Sequence, residues 1–377
     1  MDILVQSQIN IVLSILLVIL LGHAYFNMNR KKLTNKLFLW ITGLTSFTLI
    51  LEISSILLNN QNLKQFLVFH KLVNLIGFIV TPIIPFIGYQ FTKEWVNRFQ
   101  KEKIKANHIL LLPLIVNSIG ALLSYNGGQI FFITSNNVYK RGPLFFILPC
   151  VSYIYLGYNL YFIYKQRKKL TYSEIGIFSL FYCVPIVFTI VQLIYPIYPT
   201  IWSSTAMVIV IFYIFILNDQ SHRDSLTGLQ NRLSYEHYAE NIDIKKINKL
   251  FMIYIDIDEF KTINDEYGHS EGDEAIKEFA KLLVQSFPIV KKKLIRLGGD
   301  EFLILLEEQQ RKKVVRFMKN LEENVNKYNH SGAKPYNLKF SHGMLGYTNA
   351  SENMYQLFDR ADQMMYEEKQ CKRNSTN

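Results

Sequence analysis

The chain has 377 residues, which is enough for two or three domains. Half of the residues are hydrophobic and the mean hydropathy is positive, and both values are high for a soluble protein. The formal net charge of +11 is more typical of basic cytoplasmic loops in a membrane protein than of nucleic-acid binding, so we expect no nucleic-acid partner. The three cysteines show neither a metal-binding spacing nor a disulfide framework.

Apolar residues fill most of the first 217 positions. A membrane-spanning helix needs about 20 consecutive apolar residues. Seven stretches satisfy this requirement, at residues 4–27, 37–58, 67–91, 108–125, 144–164, 175–195 and 200–217. We therefore predict a multi-pass helical membrane region of about seven spans over residues 1–217.

Basic residues follow every second predicted span. They occur at residues 30–36, 93–105 and 165–169, after the first, third and fifth spans, whereas the other loops carry fewer. Positive charge marks the cytoplasmic side of a membrane. The pattern predicts that the N-terminus lies outside, and an odd number of spans then places the remainder of the chain in the cytoplasm.

Two ionisable residues, Glu52 and His70, lie within or at the edge of predicted spans. Ionisable groups at membrane depth are costly and are often functional. Either residue could take part in sensing a ligand or protons, or could simply pair with a neighbouring helix. The sequence leaves both interpretations open.

The membrane region resembles the seven-helix N-terminal regions of some bacterial histidine kinases and cyclases. The stretch YKRGPLFFILPCVSYIYLGYNLYFIY, which enters the fifth span, carries the best local resemblance. This resemblance implies a sensor in the bacterial cell membrane for an unknown small-molecule or membrane-derived signal. A transporter is the alternative, although no inverted repeat is obvious.

The second half of the chain has the composition of a soluble domain. Six residues, NDQSHR (218–223), form a short linker from the last span to a domain at residues 224–377. In that domain, apolar strand-like runs such as KLFMIYIDIDEF alternate with segments of helical periodicity such as DEAIKEFAKLLVQSF. The pattern predicts an α+β sheet with helices packed on it.

The segment LGGDEFL (297–303) joins two of these strand-like runs. A two-residue Gly-Gly connection, Gly298-Gly299, is typical of a β-hairpin turn, because glycine readily adopts positive φ. Such a bare tip lets a bulky group approach the backbone, and Asp300 would then start the second strand. A surface hairpin with acidic residues but no function is the alternative interpretation of this segment alone.

A second acidic strand end lies in IDIDEFK (255–261). If the two strands are neighbours, Asp256 and Asp300 converge. Two carboxylates and a backbone carbonyl are suitable ligands for Mg²⁺, which is usually also coordinated by substrate phosphates. Lys261 would reach a phosphate, so the pattern indicates nucleotidyl transfer.

Four stretches of the second half carry a resemblance to one family. They are DSLTGLQNR, IDIDEFKTINDEYGHSEGD, RLGGDEF and ADQMMYEEKQCKRN, within residues 224–373. These stretches resemble the GGDEF domain of diguanylate cyclases, which joins two GTP molecules into cyclic di-GMP and releases two pyrophosphates. The resemblance implies a fold like that of adenylyl cyclases and the polymerase palm, and a homodimer, because each domain binds one GTP.

The resemblance also implies a metal site and catalytic residues. Asp256, the backbone carbonyl of Ile257, and Asp300 would bind two Mg²⁺ ions, for which Mn²⁺ can substitute. Asp300 would also accept the proton of the 3′-hydroxyl, with Glu301 assisting. Lys261 would stabilise charge in the transition state.

Substrate contacts follow from the same resemblance. Asn264 and Asp273 would bind the guanine edge, and the aspartate favours guanine over adenine. The remaining substrate-binding residues are Phe260, His269, Gly298, Gly299, Lys369 and Arg373, of which the last two would hold the terminal phosphates. A catalytically silent GGDEF domain that acts as a regulatory nucleotide-binding module is the alternative function. Such domains usually lack motif acids or glycines, whereas all of them are present here.

One segment departs from the family pattern. Many members carry RxxD shortly before the glycines, where product binds and inhibits. The corresponding residues here are Ile289-Val290-Lys291-Lys292. We predict absent or weak feedback inhibition through this site. A titration with cyclic di-GMP tests this expectation, and potent noncompetitive inhibition would contradict it.

Overall fold

The protein is represented by a computed structural model. It describes residues 2–98, 107–194, 201–242, 250–288, 292–308, 310–347 and 353–376. The chain forms two compact units, Met1–Ile216 and Leu217–Asn377.

The first unit is built from long apolar helices. These are α1 (Asp2–Asn27), α2 (Leu33–Leu58), α3 (Leu67–Val80), α4 (Ile83–Asn97), α5 (Leu112–Gly127), α6 (Ile147–Gln166), α7 (Tyr172–Ile194) and α8 (Ile201–Ser221). Short 3₁₀ helices at Gln61–Phe66, His108–Leu111 and Arg167–Lys169 lie between them. A two-stranded antiparallel ribbon, β1 (Phe131–Ile133) and β2 (Tyr139–Arg141), follows α5.

Six helical segments in the described part of the chain are long and apolar enough to cross a membrane. They are Ser7–Asn27, Leu33–Leu58, Gln61–Asn97, His108–Gly127, Tyr172–Val191 and Ile201–Ser221. The fifth predicted span, 144–164, forms helix α6 but does not belong to these six. The third predicted span, 67–91, is interrupted at Thr81 and Pro82, since proline lacks the N–H that would continue the helix.

His70 lies in a buried polar network that fixes the β1–β2 ribbon. Its Nδ1 lies 3.0 Å from Oδ1 of Asn137, and both residues are inaccessible to solvent. Asn137 adopts a left-handed conformation with φ of 59° and donates hydrogen bonds from Nδ2 to the carbonyls of Leu58, Asn60 and Leu63. In this structure His70 therefore has a clear packing role.

Glu52 also has partners on neighbouring helices. Nδ2 of Asn10 on α1 donates to its carboxylate at 2.9 Å, and Ser203 on α8 donates to Oδ1 of Asn10 at 2.5 Å. The network joins α1, α2 and α8. Any role of Glu52 or His70 in sensing stays a prediction.

The second unit contains a five-stranded sheet. Its strands are β3 (Gln230–Asn231), β4 (Leu250–Ile257), β5 (Lys292–Gly298), β6 (Glu301–Glu307) and β7 (Phe340–Gly346), in the spatial order β3-β5-β6-β4-β7. Its helices are α9 (Arg232–Asn241), α10 (Phe260–Tyr267), α11 (His269–Ser286), α12 (Arg311–His330) and α13 (Met354–Thr376). The β3–β5 pair is parallel and the other pairs are antiparallel, as expected for an α+β sheet.

Helices cover both faces of the sheet. All eight residues of β4 are buried, and Asp256 is the one charged residue in this otherwise hydrophobic central strand. One face packs against α11 and α12 through Ile253, Ile255, Phe279, Phe302, Ile304, Met318 and Leu321. The other packs against α9 and α13 through Met252, Tyr254, Tyr235, Leu303, Leu305, Leu357 and Ala361.

The hairpin between β5 and β6 differs by one residue from the sequence expectation. A register shift lies between Arg296 and Gly298, and Gly298 then pairs with Glu301. The two turn residues are therefore Gly299 and Asp300, and Gly299 supplies the positive φ of 47°. The bulge moves Asp300 out of the strand and into the turn.

Candidate active site

The acidic residues of the two motifs meet at one edge of the sheet. Asp256 on β4 lies directly opposite Glu301 on β6. The backbone N–H of Ile257 donates to the carbonyl of Asp300 at 3.2 Å. Directly opposite residues in an antiparallel pair share a face, so Asp256 and Glu301 lie on the face covered by α13. The predicted neighbourhood of Asp256, Ile257 and Asp300 is present.

The electrostatics of the cluster follow from crowding of negative charge. Burial raises the pKa of Asp256, repulsion by Asp300 and Asp258 adds to the increase, and a hydrogen bond from the Lys369 ammonium opposes it. Burial also raises the pKa of Asp300. Both shifts mean that the carboxylates are destabilised in their charged form and gain from a nearby cation.

The donor set fits a hard divalent cation. Mg²⁺ binds through one or two carboxylates and keeps positions for water and phosphate. In the described part of the chain no group of three His, Cys, Asp or Glu side chains could hold a metal ion. The ammonium on Asp256 shows that this oxygen already accepts a cation.

Helices α10 and α11 follow β4 directly and pack against each other. Glu259, with φ of 56°, turns the chain from β4 into α10 within two residues. Phe260 is half-buried and Lys261 is exposed on that helix. On α11, His269 and Asp273 are exposed, as a direct contact with substrate requires.

Gly272 is a positioning residue that sequence reasoning missed. A Cβ atom built on this glycine would lie 2.0 Å from Oδ1 of Asn264 and 3.3 Å from the Phe260 ring. Both neighbours are predicted substrate contacts on α10. Only the missing side chain at position 272 lets the Asn264 amide occupy its place. The position of Gly272 directly before Asp273 in GHSEGD was the sequence feature that could have indicated this role.

Gly272→Ala is therefore expected to move the Asn264 side chain while the helices stay packed, since the atom in the way is the end of a side chain. Loss of one hydrogen bond to a nucleobase would raise the GTP concentration for half-maximal rate about tenfold, with a smaller effect on kcat. Steady-state GTP titrations measure this change. Ser270→Ala, at an exposed position of the same helix, is the control, and equal effects of the two substitutions would contradict the assignment.

Helix α13 brings Lys369 to the acidic cluster but leaves Arg373 on the surface. The Lys369 ammonium is hydrogen-bonded to Oδ1 of Asp256. Arg373 is exposed, one turn further along α13. The two predicted phosphate-binding residues thus lie on the same helix but in different environments.

A carboxylate next to Lys369 anchors α13 to the sheet. Glu368 accepts hydrogen bonds from the backbone N–H of His342 at 2.7 Å and from Lys372 at 2.7 Å, and Nδ1 of His342 lies 3.0 Å away. Burial opposes ionisation, but these hydrogen bonds lower the pKa of Glu368 to about 2. The anchor was not predictable, because it joins residues 26 positions apart through one strand–helix contact.

Arg296 fixes the glycine turn through hydrogen bonds to its backbone. Its guanidinium donates to the carbonyl of Gly299 at 2.8 and 3.0 Å and to the carboxylate of Asp224 at 3.0 and 3.1 Å. Asp224 also accepts two hydrogen bonds from Thr227. The DSLTG motif therefore supports the turn through Asp224 and Arg296.

This arrangement predicts a pH-dependent effect of Asp224→Asn. Burial raises the pKa of Asp224, but the hydrogen bonds from Thr227 and Arg296 outweigh burial and hold it below the ordinary value of 3.8. The carboxylate thus stabilises the fold above that value, and the contribution is lost as the pH falls through the lowered pKa. We expect Asp224→Asn to lower the free energy of unfolding by about 1–3 kcal/mol at neutral pH.

Thermal unfolding of the second unit within the full chain measures this loss, which should shrink on acidification. Glu236→Gln is the control, because its ion pair with Arg232 is exposed and contributes little. A loss that stays constant with pH would contradict the role of the Asp224 charge.

Comparison with known proteins agrees with this geometry. Residues 221–375 match the family model described as diguanylate cyclase, GGDEF domain. The chain contains a GGDEF domain. The GGDEF match covers the sheet, the acidic cluster and α13. The segment aligned with the product-binding RxxD motif, residues 289–291, lies outside the described residues, whereas Lys292 begins β5.

Curated relatives match less than half of this chain. The chain is 35% identical to Bacillus subtilis YhcK over 41% of this chain and 45% of the relative. It is 30% identical to the Escherichia coli K12 protein named diguanylate cyclase DgcM, over 42% and 38%. It is 28% identical to the Staphylococcus epidermidis membrane protein SERP0413, over 46% and 51%. The chain thus spans about half or less of the length of these relatives. SERP0413 and the six apolar helices indicate a membrane protein.

Proposed function

We propose that the protein is a membrane-bound diguanylate cyclase that condenses two GTP molecules into cyclic di-GMP and two pyrophosphates. The observation that carries the proposal is the closeness of Asp256, at the end of β4, to Asp300 in the neighbouring β5–β6 turn, with Lys369 hydrogen-bonded to Asp256. The GGDEF match and relatives named diguanylate cyclases support it.

In this proposal Asp256, the Ile257 carbonyl and Asp300 hold two Mg²⁺ ions, and Mn²⁺ can replace them. Bound metal neutralises the triphosphate and favours ionisation of the attacking hydroxyl. Asp300 accepts the 3′-hydroxyl proton. Glu301 lies on the same face as Asp256 and is available to assist.

The helices of the domain would bind the rest of the nucleotide. Asn264 and Asp273 bind the guanine edge, where the Asp273 carboxylate accepts hydrogen bonds from N1–H and N2–H₂, and His269 lies in the same run. Phe260 and Lys261 line the phosphates, while Gly298 and Gly299 let the nucleotide approach the backbone. Lys369 and Arg373 hold the terminal phosphates. The exposure of Lys261, His269, Asp273 and Arg373 is compatible with these roles.

Chemistry between two GTP molecules requires two such domains that face each other, so a homodimer is part of the proposal. The loop charges place the N-terminus outside and the GGDEF domain in the cytoplasm. Seven spans, with α6 as the fifth, give this orientation. A signal received by residues 1–217 would shift an equilibrium between dimer arrangements. Helix α8 continues to Ser221, so most of the predicted linker at 218–223 is helical, and the two residues left before the domain, His222 and Arg223, are too few for a further signalling domain.

The test uses full-length protein in lipid nanodiscs with equal GTP and ATP and with Mg²⁺, and identifies products by mass spectrometry. Cyclic di-GMP with two pyrophosphates per product, and no adenine-containing dinucleotide, is the expected result. Binding of GTP without product would instead support the catalytically silent module, provided that a dimer fused through an added coiled coil is also inactive.

A further inference from the structure

Lys369 lies where a metal ion would approach Asp256. Its ammonium is hydrogen-bonded to Oδ1 of Asp256, and the side chains are only 18% and 12% exposed. The surrounding carboxylates of Asp258, Asp300 and Asp362 add negative charge near Asp256. An ammonium held on this oxygen and a divalent cation bound to it exclude each other.

The position of Lys369 is fixed by the backbone. Gly343 on β7 lets α13 approach so closely that an added Cβ would lie 1.9 Å from the Ala361 carbonyl oxygen. Glu368 binds the preceding residue of the strand, His342, through two hydrogen bonds. Because the backbone on either side of Lys369 is anchored, its side chain loses little conformational entropy when it binds Asp256.

We propose that Lys369 is a built-in competitor for the divalent metal at Asp256, which nucleotide removes. When GTP arrives, its terminal phosphates offer the ammonium a stronger anionic partner than one carboxylate. Lys369 then leaves Asp256, which becomes available to the metal. The domain therefore binds metal weakly alone and tightly with nucleotide. The inference rests on the proposed function, since it concerns the same site.

The experiment measures Mn²⁺ binding to full-length protein in phosphatidylcholine nanodiscs, which lack anionic lipid, by the electron paramagnetic resonance signal of free Mn²⁺. Lys369→Met should bind Mn²⁺ about tenfold or more tightly than the native protein without nucleotide, because a charge-assisted hydrogen bond no longer has to be broken. Arg373→Met removes the same charge one turn away without contact to Asp256. It should change nucleotide-free affinity less than about twofold, since exposed charge is screened.

A GTP analogue with a methylene group between the α- and β-phosphorus atoms supplies the second comparison, because it cannot release pyrophosphate. The analogue should tighten Mn²⁺ binding to native protein much more than to Lys369→Met. Unchanged or weaker nucleotide-free binding by Lys369→Met, with native-like unfolding temperature, would overturn the proposal.

A measurement on unmodified sequence covers the case in which the variant misfolds. Acylation of Lys369 by an amine-reactive ester, followed by peptide mass spectrometry, should increase as Mn²⁺ saturates the native protein, with Lys372 as internal reference. Constant Lys369 reactivity would overturn the proposal. Failure of the cyclase function appears separately, as absence of cyclic di-GMP, and leaves these binding results unchanged.

Discussion

Asp300→Asn is expected to reduce the rate of cyclic di-GMP formation about 10²- to 10⁴-fold, the range for loss of a positioned proton acceptor. Asparagine keeps the size of the side chain and the backbone of the turn, but it carries no negative charge for a metal and accepts no proton. Initial rates with saturating GTP and Mg²⁺ measure the effect. A rate within a factor of about three of the native value would contradict the role of Asp300 as metal ligand and proton acceptor.

The same substitution is expected to stabilise the metal-free protein. The pKa of Asp300 is raised above its ordinary value of 3.8. A carboxyl group with a raised pKa favours the folded state below the ordinary value and loses this contribution as the pH rises through the raised pKa. At neutral pH the carboxylate therefore destabilises the fold, and Asp300→Asn should raise the unfolding temperature in chelator.

Asp265→Asn is the matched control for this stability effect, since Asp265 is an exposed acid on α10. It should leave the unfolding temperature unchanged. A decrease in the stability of Asp300→Asn would show that the carboxylate is needed by the fold, and the loss of activity would then need another explanation. Opposite signs for activity and stability identify a residue whose charge serves function.

Gly343→Ala is expected to destabilise the second unit by moving a helix. Its Cβ would lie 1.9 Å from the Ala361 carbonyl oxygen and 2.7 Å from the Met365 nitrogen, which are backbone atoms of α13. The helix has to move away from β7, because no rotamer change relieves the clash. Overpacking of this kind costs about 1–3 kcal/mol, and chemical denaturation of the full-length protein, followed at the second unit, measures it.

Activity should fall together with stability in Gly343→Ala, because α13 carries Lys369 and Glu368. Gly346→Ala is a matched control on the same strand, since its Cβ would meet the Phe251 ring at 3.0 Å, a side chain that can shift. We expect a smaller loss for this control. Equal losses would mean that the close approach of α13 at Gly343 carries no special role.

The sequence was sufficient for the general arrangement of the site. Apolar β-branched runs located β4 and β6, and acids at their ends were bound to meet once the strands paired. The sequence did not reveal the bulge before Gly298, which makes Asp300 a turn residue, because a one-residue register shift changes no composition. The Lys369–Asp256 and Glu368–His342 contacts depend on how closely α13 packs against β7. The spacing of apolar residues along a helix does not predict that distance.

In the membrane half too, the sequence predicted the helices but not the contacts between distant residues. Long apolar runs predicted helices, and six of the seven predicted spans correspond to segments that could cross a membrane. The interruption at Pro82 was visible in the sequence, but its consequence was not, because proline can either bend a helix or end it. The hydrogen bond between His70 and Asn137 joins residues 67 positions apart, and predicting it requires the position of the β1–β2 ribbon in the fold.

The hydrogen bonds of Arg296 have a mechanical consequence. Two residues, His222 and Arg223, lie between the end of α8 at Ser221 and Asp224, whose carboxylate holds the same guanidinium that holds the Gly299 carbonyl. Asn231 also binds the carbonyls of Ser221 and His222. The start of the domain and the Gly299 turn are therefore connected by a short chain of hydrogen bonds. A displacement of the C-terminal end of α8 would reach the turn with little loss in between.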